Sequence, residues 1–327
     1  MISFRSIFAY ASIGFAAIFT WGIGASHAEP SLSGPVRLIV PYAAGGGAMD
    51  LLGRALQRPL EHELGIRVLV ENKPGGSTKI GTDYVMNSAS DGQTLLLCSA
   101  PGWVGYYYSK VFHDKPWMAM TPIAVVAESP YSVITTSAKG PLKDWASVVE
   151  KAKKSGQPIK AGAPAAGGFT QLAFNEILKK FDIKGTFIPY AGAAPARTAL
   201  LGDELDIQMD SGAAFQTMRS GLTRGVAVSW PERYPLQKDV PTYGELGFGI
   251  DMPLNNYTVW GPKGIPDAIV KKLADAIQKA TKDPSLIDLL QTKNAMYVHF
   301  TPGDKLLADT IKVDDQWADK LKTLAPN

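Results

Sequence analysis

Short apolar runs rich in Val, Ile and Leu alternate along this chain with loops of small residues and with stretches of helical periodicity. An apolar run bounded by turn residues predicts a buried strand, and apolar residues spaced three and four apart predict an amphipathic helix. The pattern predicts strands at 36–40, 67–70, 94–98, 123–127, 131–135, 158–162, 186–190, 205–209, 225–229 and 257–260. Helices are predicted between many of them, and three more near the carboxyl terminus at 266–279, 284–291 and 303–321.

The alternation of strand, small-residue loop and helix starts afresh after residue 131, so the sequence predicts two similar α/β units in series. Repeats of this kind are typical of parallel sheets covered by helices on both faces, where ligands bind outside the carboxyl ends of the strands. Small or polar residues follow several of the predicted strands: Ser99 and Ala100, the segment 163–168, the segment 191–194, and Asp210. We therefore expect a ligand site where these loops meet.

The loop between the first strand and the first helix contains three consecutive glycines at 45–47. Glycines leave backbone N–H groups uncovered, and the first turn of a helix adds unsatisfied donors and a positive dipole end, so this junction suits an anion. The spacing does not fit a dinucleotide loop, because Asp50 stands where the third glycine should be, and no Gly-Lys-Ser/Thr follows. A carboxylate fits better than a pyrophosphate. Asp50 itself is predicted to cap the helix or hold the turn, since its charge would repel a bound anion.

The net charge, the amino-terminal segment and the cysteine content limit the functional classes to which this protein can belong. The formal net charge of +3 is too small to indicate a nucleic-acid or membrane-surface binder. Residues 1–28 have the pattern of a secretory signal, with Arg5, an apolar run at 7–23 and small residues before a cleavage point after Ala28, which predicts an exported protein. Cys98 is the only cysteine and lies in an apolar strand, so we predict no internal disulfide and an inert buried thiol.

No catalytic or metal-binding motif is visible. His62 and Glu63 are not followed by the second histidine of H-E-x-x-H, and His113 and His299 have no ligand-type residue at metal spacing. No G-x-S-x-G nucleophile elbow is present. We predict no cofactor, no metal and no catalytic residue, and a binding protein that closes over its ligand. The alternative is an exported hydrolase or isomerase, with Asp210 or His113 as its base or nucleophile.

Several ordered segments resemble the substrate-binding proteins of tripartite tricarboxylate transporters, the TctC or Bug type. These segments are IVPYAAGGGAMD at 39–50, VLVENKPGG at 68–76, SDGQTLLL at 90–97, FIPYAGAAPARTALLGDELDI at 187–207, DVPTYGELGF at 239–248, GPKGIPDAIVKKL at 261–273 and TPGD at 301–304. The resemblance implies a two-lobed type II periplasmic binding protein (Venus-flytrap) fold, in which each lobe is a mostly parallel sheet flanked by helices. It also implies a small carboxylate ligand and delivery to a membrane permease of the tripartite type.

By this resemblance, lobe 1 comprises 29–130 and 240–327, lobe 2 comprises 131–239, and the lobes close about a hinge near 128–131 and 231–241. The predicted ligand-binding residues are small residues of the strand-end loops, two tyrosines, Phe169 and Asp210: Tyr42, Ala43, Gly46, Gly47, Ala48, Ser99, Ala100, Ala165, Ala166, Gly168, Phe169, Thr170, Tyr190, Ala191, Gly192, Ala194 and Asp210. We expect main-chain N–H groups to supply most of the contacts, and we expect a monomer.

The identity of the carboxylate stays open. Gly168 is followed by Phe169, Thr170 and Gln171 where family members often have a serine or threonine and then a histidine, and Asn256 stands where a tryptophan is common. Together with Tyr42, Trp103 and the tyrosines at 106–108, Phe169 suggests an aromatic mono- or dicarboxylate, whereas the same aromatic residues would serve equally well to pack a loop. A partner sensor kinase in place of a permease is a further alternative.

Overall fold

The computed structural model of the protein describes residues 32–45, 47–212 and 214–323. The predicted signal sequence at 1–28 and the predicted ligand contact Gly46 lie outside these residues. Within them the chain forms two β-sheets, each flanked by helices. None of the helices in this part of the chain is both long and apolar enough to span a membrane.

The strands, in chain order, are β1 (Val36–Val40), β2 (Val68–Asn72), β3 (Thr94–Ser99), β4 (Met120–Ser129), β5 (Val133–Ser137), β6 (Ile159–Ala163), β7 (Gly185–Pro189), β8 (Ile207–Asp210), β9 (Thr223–Val228), β10 (Asn255–Pro262) and β11 (Tyr297–Pro302). The helices are α1 (Ala48–Leu64), α2 (Lys79–Met86), α3 (Ala100–Tyr108), α4 (Pro116–Ala119), α5 (Trp145–Ser155), α6 (Gly168–Phe181), α7 (Ala193–Leu201), α8 (Ala214–Arg219), α9 (Asp267–Ala280), α10 (Pro284–Ile287) and α11 (Gly303–Lys322). A π-helical turn (Asp288–Thr292) follows α10.

The two sheets have the same strand order. The six-stranded sheet runs β11-β4-β10-β3-β1-β2, and the five-stranded sheet runs β7-β6-β8-β5-β9. If β11 is left out, the two sheets correspond strand for strand. Each sheet begins with three parallel strands (β2-β1-β3 or β7-β6-β8), continues with a strand that arrives from the other sheet (β10 or β5), and ends with one more strand. We call the six-stranded sheet with its helices lobe 1 and the five-stranded sheet with its helices lobe 2. The chain is therefore a two-lobed α/β protein.

Each sheet is mixed rather than mostly parallel. The pairings of β1 with β2 and β3, and of β6 with β7 and β8, are parallel. The arriving strands β10 and β5 run antiparallel to both of their neighbours. A strand that crosses from the other lobe enters its sheet from the opposite end, which explains this reversal. The expected parallel arrangement thus holds only within each three-strand unit.

The chain passes from lobe 1 to lobe 2 between β4 and β5, at residues 130–132. It returns between β9 and β10, but the segment after the predicted boundary at 239 still packs on lobe 2. Thr242 forms a bridge with Val228, and the ring of Phe248 lies 4.8 Å from that of Trp145. The return to lobe 1 therefore follows Phe248.

The first helix shows how the apolar pattern builds the core. Leu52, Leu56 and Leu60 recur every fourth residue of α1 and are buried, and they share one apolar cluster with Leu273 and Ile277 of α9. This spacing places all three leucines on one helix face. Cys98 is buried in β3, and burial raises the pKa of its thiol, so the sequence-based prediction of an inert buried thiol is confirmed.

Three local predictions were incomplete or wrong. The small residues at 99–102 do not form a loop, because α3 begins at Ala100 directly after β3, and the Gly102 N–H donates to Ser99 Oγ over 3.1 Å. Helices α3, α4, α5 and α8 and strand β11 were not predicted. Thr301 and Asp304 have the spacing of a capping box for α11, but this prediction is wrong, since the helix follows Pro302 without any side-chain cap.

Candidate functional site

A cavity of about 70 Å³ lies between the two lobes, at the ends of their central strands. Backbone from two helix starts, tyrosines and a few small polar side chains line it: Tyr42, Ala43, Gly47, Ala48, Met49, Ser99, Tyr106, Tyr131, Pro164, Thr170, Gly192, Ala193, Met209, Asp210, Ser211, Asn255 and Tyr257. Among the described lining residues there is no lysine, arginine or histidine. Any anion bound here would meet N–H and O–H donors rather than a basic side chain.

The lobe 1 wall is the start of α1. Gly47, the residue before the helix, is extended, and the first intrahelical bond runs from the Leu51 N–H to the Gly47 carbonyl over 3.1 Å. The amides of the first turn that precede this bond have no partner within the helix. Because Ala48 and Met49 line the cavity, the positive end of α1 faces it.

Asp50 lies in this first turn but faces away from the cavity. Its carboxylate accepts hydrogen bonds from the Gly45 N–H at 3.0 Å, Arg54 at 3.1 Å and Asn72 at 2.8 Å. Burial raises the pKa of Asp50, but these bonds outweigh that effect and leave it below the usual value. The prediction that Asp50 holds the turn is confirmed, and Arg54 offsets its charge.

The lobe 2 wall is the start of α7. Gly192 precedes the helix with φ 146°, a backbone conformation that favours glycine, and Ala193 opens the helix. The two walls nearly touch, because a Cβ added at Gly192 would lie 3.6 Å from the Cβ of Ala43. Two helix N-termini, one from each lobe, therefore converge on the same cavity.

Direct hydrogen bonds join the lobes around the cavity. The Ala43 N–H donates to the Ala191 carbonyl over 3.4 Å, Ser77 Oγ donates to the Ala166 carbonyl over 3.1 Å, and the Gly168 N–H donates to Ser109 Oγ over 3.0 Å. The lobes are thus in contact on more than one side, which is the arrangement expected of a closed receptor.

A polar network forms the base of the cavity. Ser99 Oγ donates to Asn255 Oδ1 over 2.6 Å, and the Tyr257 hydroxyl lies 2.9 Å from Ser129 Oγ and 3.4 Å from Ser211 Oγ. Because Oδ1 of Asn255 accepts from Ser99, its amide NH₂ is the donor end that remains to contact Tyr257 or a ligand. Burial raises the pKa of Tyr257, so its hydroxyl stays protonated.

Three further tyrosines, Tyr42, Tyr106 and Tyr131, line the cavity from both lobes. Burial raises the pKa of each, and for Tyr42 and Tyr131 the pKa lies well above the ordinary value. These hydroxyls are therefore neutral donors at any physiological pH.

Asp210 is the only lining residue with a formal charge among those the structure describes. It ends β8 and is only 5% exposed. Burial raises its pKa to about 6, against the opposing effects of the Ser211 N–H, which donates to Oδ1 over 2.7 Å, and of the positive charge of Arg197. This carboxyl group therefore titrates just below neutral pH inside the cavity.

The structure brings about half of the predicted ligand-binding residues to this cavity: Tyr42, Ala43, Gly47, Ala48, Ser99, Thr170, Gly192 and Asp210. Ala165, Ala166, Tyr190 and Ala191 instead line an adjoining cavity of about 230 Å³ that shares Tyr42 and Pro164 with the first. Ala100, Gly168, Phe169 and Ala194 line neither.

Phe169 and Trp103 are core residues, not cleft residues. Phe169 has no exposed surface and packs between the rings of Tyr131 at 5.4 Å and Trp317 at 5.2 Å. Trp103 is likewise buried, 5.2 Å from Trp260. Of the aromatic residues predicted to line a cleft, only Tyr42 and Tyr106 reach the cavity.

Asn255 and Tyr257, at the start of β10, line the cavity but were not predicted from the sequence. Because β10 runs antiparallel to β3, with Tyr257 opposite Ser99, its first residues lie beside the carboxyl end of β3. The usual rule looks for ligand contacts after a strand, whereas an antiparallel strand contributes them from its start. Polar residues at the start of an apolar run were the available signal.

No group of three or more His, Cys, Asp or Glu residues within the described ranges could hold a metal ion. The cavity contains no pairing of a nucleophile with a histidine base among the residues that line it. The cavity is therefore a small space lined by hydrogen-bond donors and by one acidic side chain, that of Asp210.

Known proteins resemble this chain over most of its length, both in sequence and in structure. The sequence profile described as "Tripartite tricarboxylate transporter family receptor" matches residues 52–318. The protein BugT of Bordetella pertussis is 30% identical over 307 residues, which cover 92% of this chain and 93% of BugT. The structure of the periplasmic binding protein BugD superposes with a TM-score of 0.82 at 28% identity, covering 90% of this chain and 98% of that one. MatC from Rhodopseudomonas palustris with bound malate shares the fold with a TM-score of 0.79 at 23% identity, covering 88% and 99%.

Proposed function

The chain belongs to the tripartite tricarboxylate transporter receptor family, whose members are solute-binding receptors, and from this we propose that it binds a small carboxylate in the cavity between its lobes. We propose further that it works in the periplasm after removal of residues 1–28, and that it delivers the ligand to a tripartite-type membrane permease. Ligand binding, not turnover, is its activity in this proposal.

The observation that carries the proposal is the convergence of the α1 and α7 N-termini on one cavity without a basic lining residue. Helix starts of this kind bind anions through main-chain N–H groups. Hydrogen bonds to a charged group contribute about 1.5–3 kcal/mol each, so three or four of them suffice for the roughly 8 kcal/mol of a micromolar complex.

The size of the cavity bears on the ligand class. The cavity of about 70 Å³ is roughly half the size of the ~150 Å³ cavity that is known to admit benzene. That space suits a small aliphatic acid better than a ring-bearing one, and the burial of Phe169 and Trp103 removes two of the aromatic residues that suggested an aromatic ligand. A malate complex of the same fold, MatC, is in keeping with this choice. We therefore propose an aliphatic carboxylate.

A proline substitution tests the role of the helix amides. Proline is well tolerated at the first position of a helix, and Gly47, the residue before it, is already extended as a pre-proline residue requires. Ala48→Pro therefore deletes one cavity N–H without removing the helix. The control is Asp267→Pro, which deletes the N–H of the exposed first residue of α9, outside the cavity lining.

Calorimetric titration of the purified protein with succinate, malate, citrate, benzoate and the neutral diamide of succinate is the measurement. We expect at least one aliphatic acid to bind and be recovered unchanged, the diamide not to bind, and Ala48→Pro to weaken binding about tenfold or more while Asp267→Pro does not. Binding of the diamide as tightly as of the acid, or consumption of the acid, would reject the proposal.

A further inference from the structure

The charge of Asp210 is unexpected in a cavity that binds a carboxylate. Its side chain is buried at the end of β8, lines the same cavity as the two helix N-termini, and is the only formally charged side chain among the described lining residues. Two carboxylates about 5 Å apart in a protein environment repel strongly enough to cost a ligand on the order of a hundredfold in affinity. A plain dicarboxylate would therefore bind against this repulsion.

Burial disfavours the ionised form of Asp210, and its polar neighbours offset only part of that effect. The Ser211 N–H donates to it over 2.7 Å, and the positive charge of Arg197 acts on it from α7. With a pKa of about 6, the carboxyl group is mostly ionised at neutral pH in spite of its burial. The base of the cavity is therefore a hydrogen-bond acceptor, while the two helix starts are donors.

We propose that the ligand is a carboxylate that also carries a hydrogen-bond donor, an ammonium or a hydroxyl group, and that this donor lies against Asp210. The inference rests on the proposed function, because it takes the helix starts to hold the carboxylate. In a cavity of only about 70 Å³, a ligand held by its carboxylate at the helix starts has its next polar group within reach of Asp210. Amino acids and hydroxy acids meet this requirement, and unsubstituted acids do not.

Three ligands of equal length test the proposal: succinate, L-malate and L-aspartate. We expect the wild-type protein to bind malate or aspartate at least tenfold more tightly than succinate at pH 7.5. Asp210→Asn removes the charge and adds a donor, so it should bring succinate to within about threefold of the better donor-bearing acid. The control Asp203→Asn changes an exposed aspartate with φ 59°, a backbone position that asparagine tolerates, and should leave the ranking unchanged.

The number of protons that the wild-type protein takes up on ligand binding provides a test that does not depend on whether the variant folds. Titrations in buffers of different ionisation enthalpy measure protons taken up on binding. Succinate should take up close to one proton at pH 7.5, because Asp210 must be neutralised, whereas the donor-bearing acid that binds best should take up almost none.

The outcomes separate the two proposals. Equal affinities for the three acids, or full proton uptake with every one of them, would overturn the role of Asp210 and leave carboxylate binding intact. If no carboxylate bound at all, the proposed function would fail, and this inference with it. A preference for aspartate over malate would identify the donor as an ammonium group, and the reverse preference would identify it as a hydroxyl.

Discussion

The two lobes share a strand order but use their buried aspartates in opposite ways. In lobe 1, Asp50 is tied to Gly45, Arg54 and Asn72 and faces away from the cavity, and its pKa lies below the ordinary value. In lobe 2, Asp210 faces into the cavity, and its pKa is raised to about 6. The first charge holds a loop in place, and the second is left available to whatever enters the cavity.

The glycine loops before α1 in lobe 1 and before α6 in lobe 2 make the same comparison in milder form. In lobe 1 the Gly45 N–H is held by Asp50, and in lobe 2 the Gly167 N–H is held by Gln171 Oε1 over 2.8 Å. Each acceptor lies in the first turn of the following helix. One loop thus depends on an ionised group and the other on a neutral one, and the two should respond differently to mutation and to pH.

The largest effect is expected at Asp50. Asp50→Ala leaves the Gly45 amide, Arg54 and Asn72 without their common acceptor, and hydrogen bonds to a charged group contribute about 1.5–3 kcal/mol each, so we expect a loss of about 4 kcal/mol of stability. Binding of the carboxylate should weaken too, because the loop before α1 loses its support. Chemical denaturation measures the first effect and calorimetry the second.

The pH dependence of the Asp50 effect has a definite sign. The folded pKa is lowered, so this stabilisation is complete above the unfolded value of about 3.9 and is lost as the pH falls through the folded pKa. The difference between wild type and Asp50→Ala should therefore shrink below about pH 4. Asp275→Ala, which breaks an exposed pair with Lys271, is the control and should leave the melting temperature unchanged. An equally small effect at Asp50 would show that the loop does not depend on it.

Asp210 should behave in the opposite sense. Its folded pKa of about 6 lies above the unfolded value, so its contribution to stability is present below about pH 4 and is lost as the pH rises through about 6. Asp210→Asn should remove this loss and raise the stability of the ligand-free protein above pH 7 by at most ~3 kcal/mol, since about two pKa units correspond to that energy. Thermal melts of both proteins from pH 4 to pH 8 measure the difference. A variant less stable than wild type at pH 8 would mean that the charged form is held by the fold.

A smaller effect is expected where the lobes touch outside the cavity. A Cβ added at Gly105 of α3 would lie 2.6 Å from the Cα of Gly168 at the start of α6. Gly105→Ala must push these helices apart, at a cost of about 2 kcal/mol, and should weaken ligand binding because closure brings the lobes together here. The control is Gly244→Ala, whose new Cβ would have its nearest neighbour at 3.6 Å. If binding and stability stayed unchanged in Gly105→Ala, the junction would have to be loose in solution.

Much of the architecture follows from the sequence because it depends on local periodicity. The apolar run at 36–40 and the leucines of α1 were enough to predict a strand, a glycine loop and a helix, and the structure has each of them. The turn-holding role of Asp50 also follows from local charge logic. Predictions of this kind need only neighbours within a few residues.

The rest depends on contacts between distant parts of the chain. Asn255 and Tyr257 reach the cavity only because β10 enters lobe 1 in reverse, and no local pattern gives that direction. Phe169 follows a glycine at a strand end and looks like a ligand contact, but tertiary packing places it between Tyr131 and Trp317. Glycine loops indicate where backbone is exposed, and they do not tell which side chains beside them turn inward.

The smallest effect on stability is expected at Gln171, and it tests whether a neutral and a charged acceptor can support the same kind of glycine loop. Gln171→Ala removes a neutral, partly buried acceptor from the Gly167 amide and should cost only about 1 kcal/mol, with no pH dependence of its own. Gln171→Glu keeps the acceptor and adds a negative charge in the first turn of α6, which the helix dipole favours. At pH 7, Gln171→Glu should therefore not show the loss of stability that Gln171→Ala shows. This advantage should disappear as the pH falls through the pKa of the new carboxyl group, near or below about 4.3. Denaturation curves of both variants at pH 7 and pH 3.5 decide the matter. If the stability of Gln171→Glu relative to wild type were the same at pH 3.5 as at pH 7, a charged acceptor would not make such a loop depend on pH. The charge of Asp50 would then not be what distinguishes the lobe 1 loop.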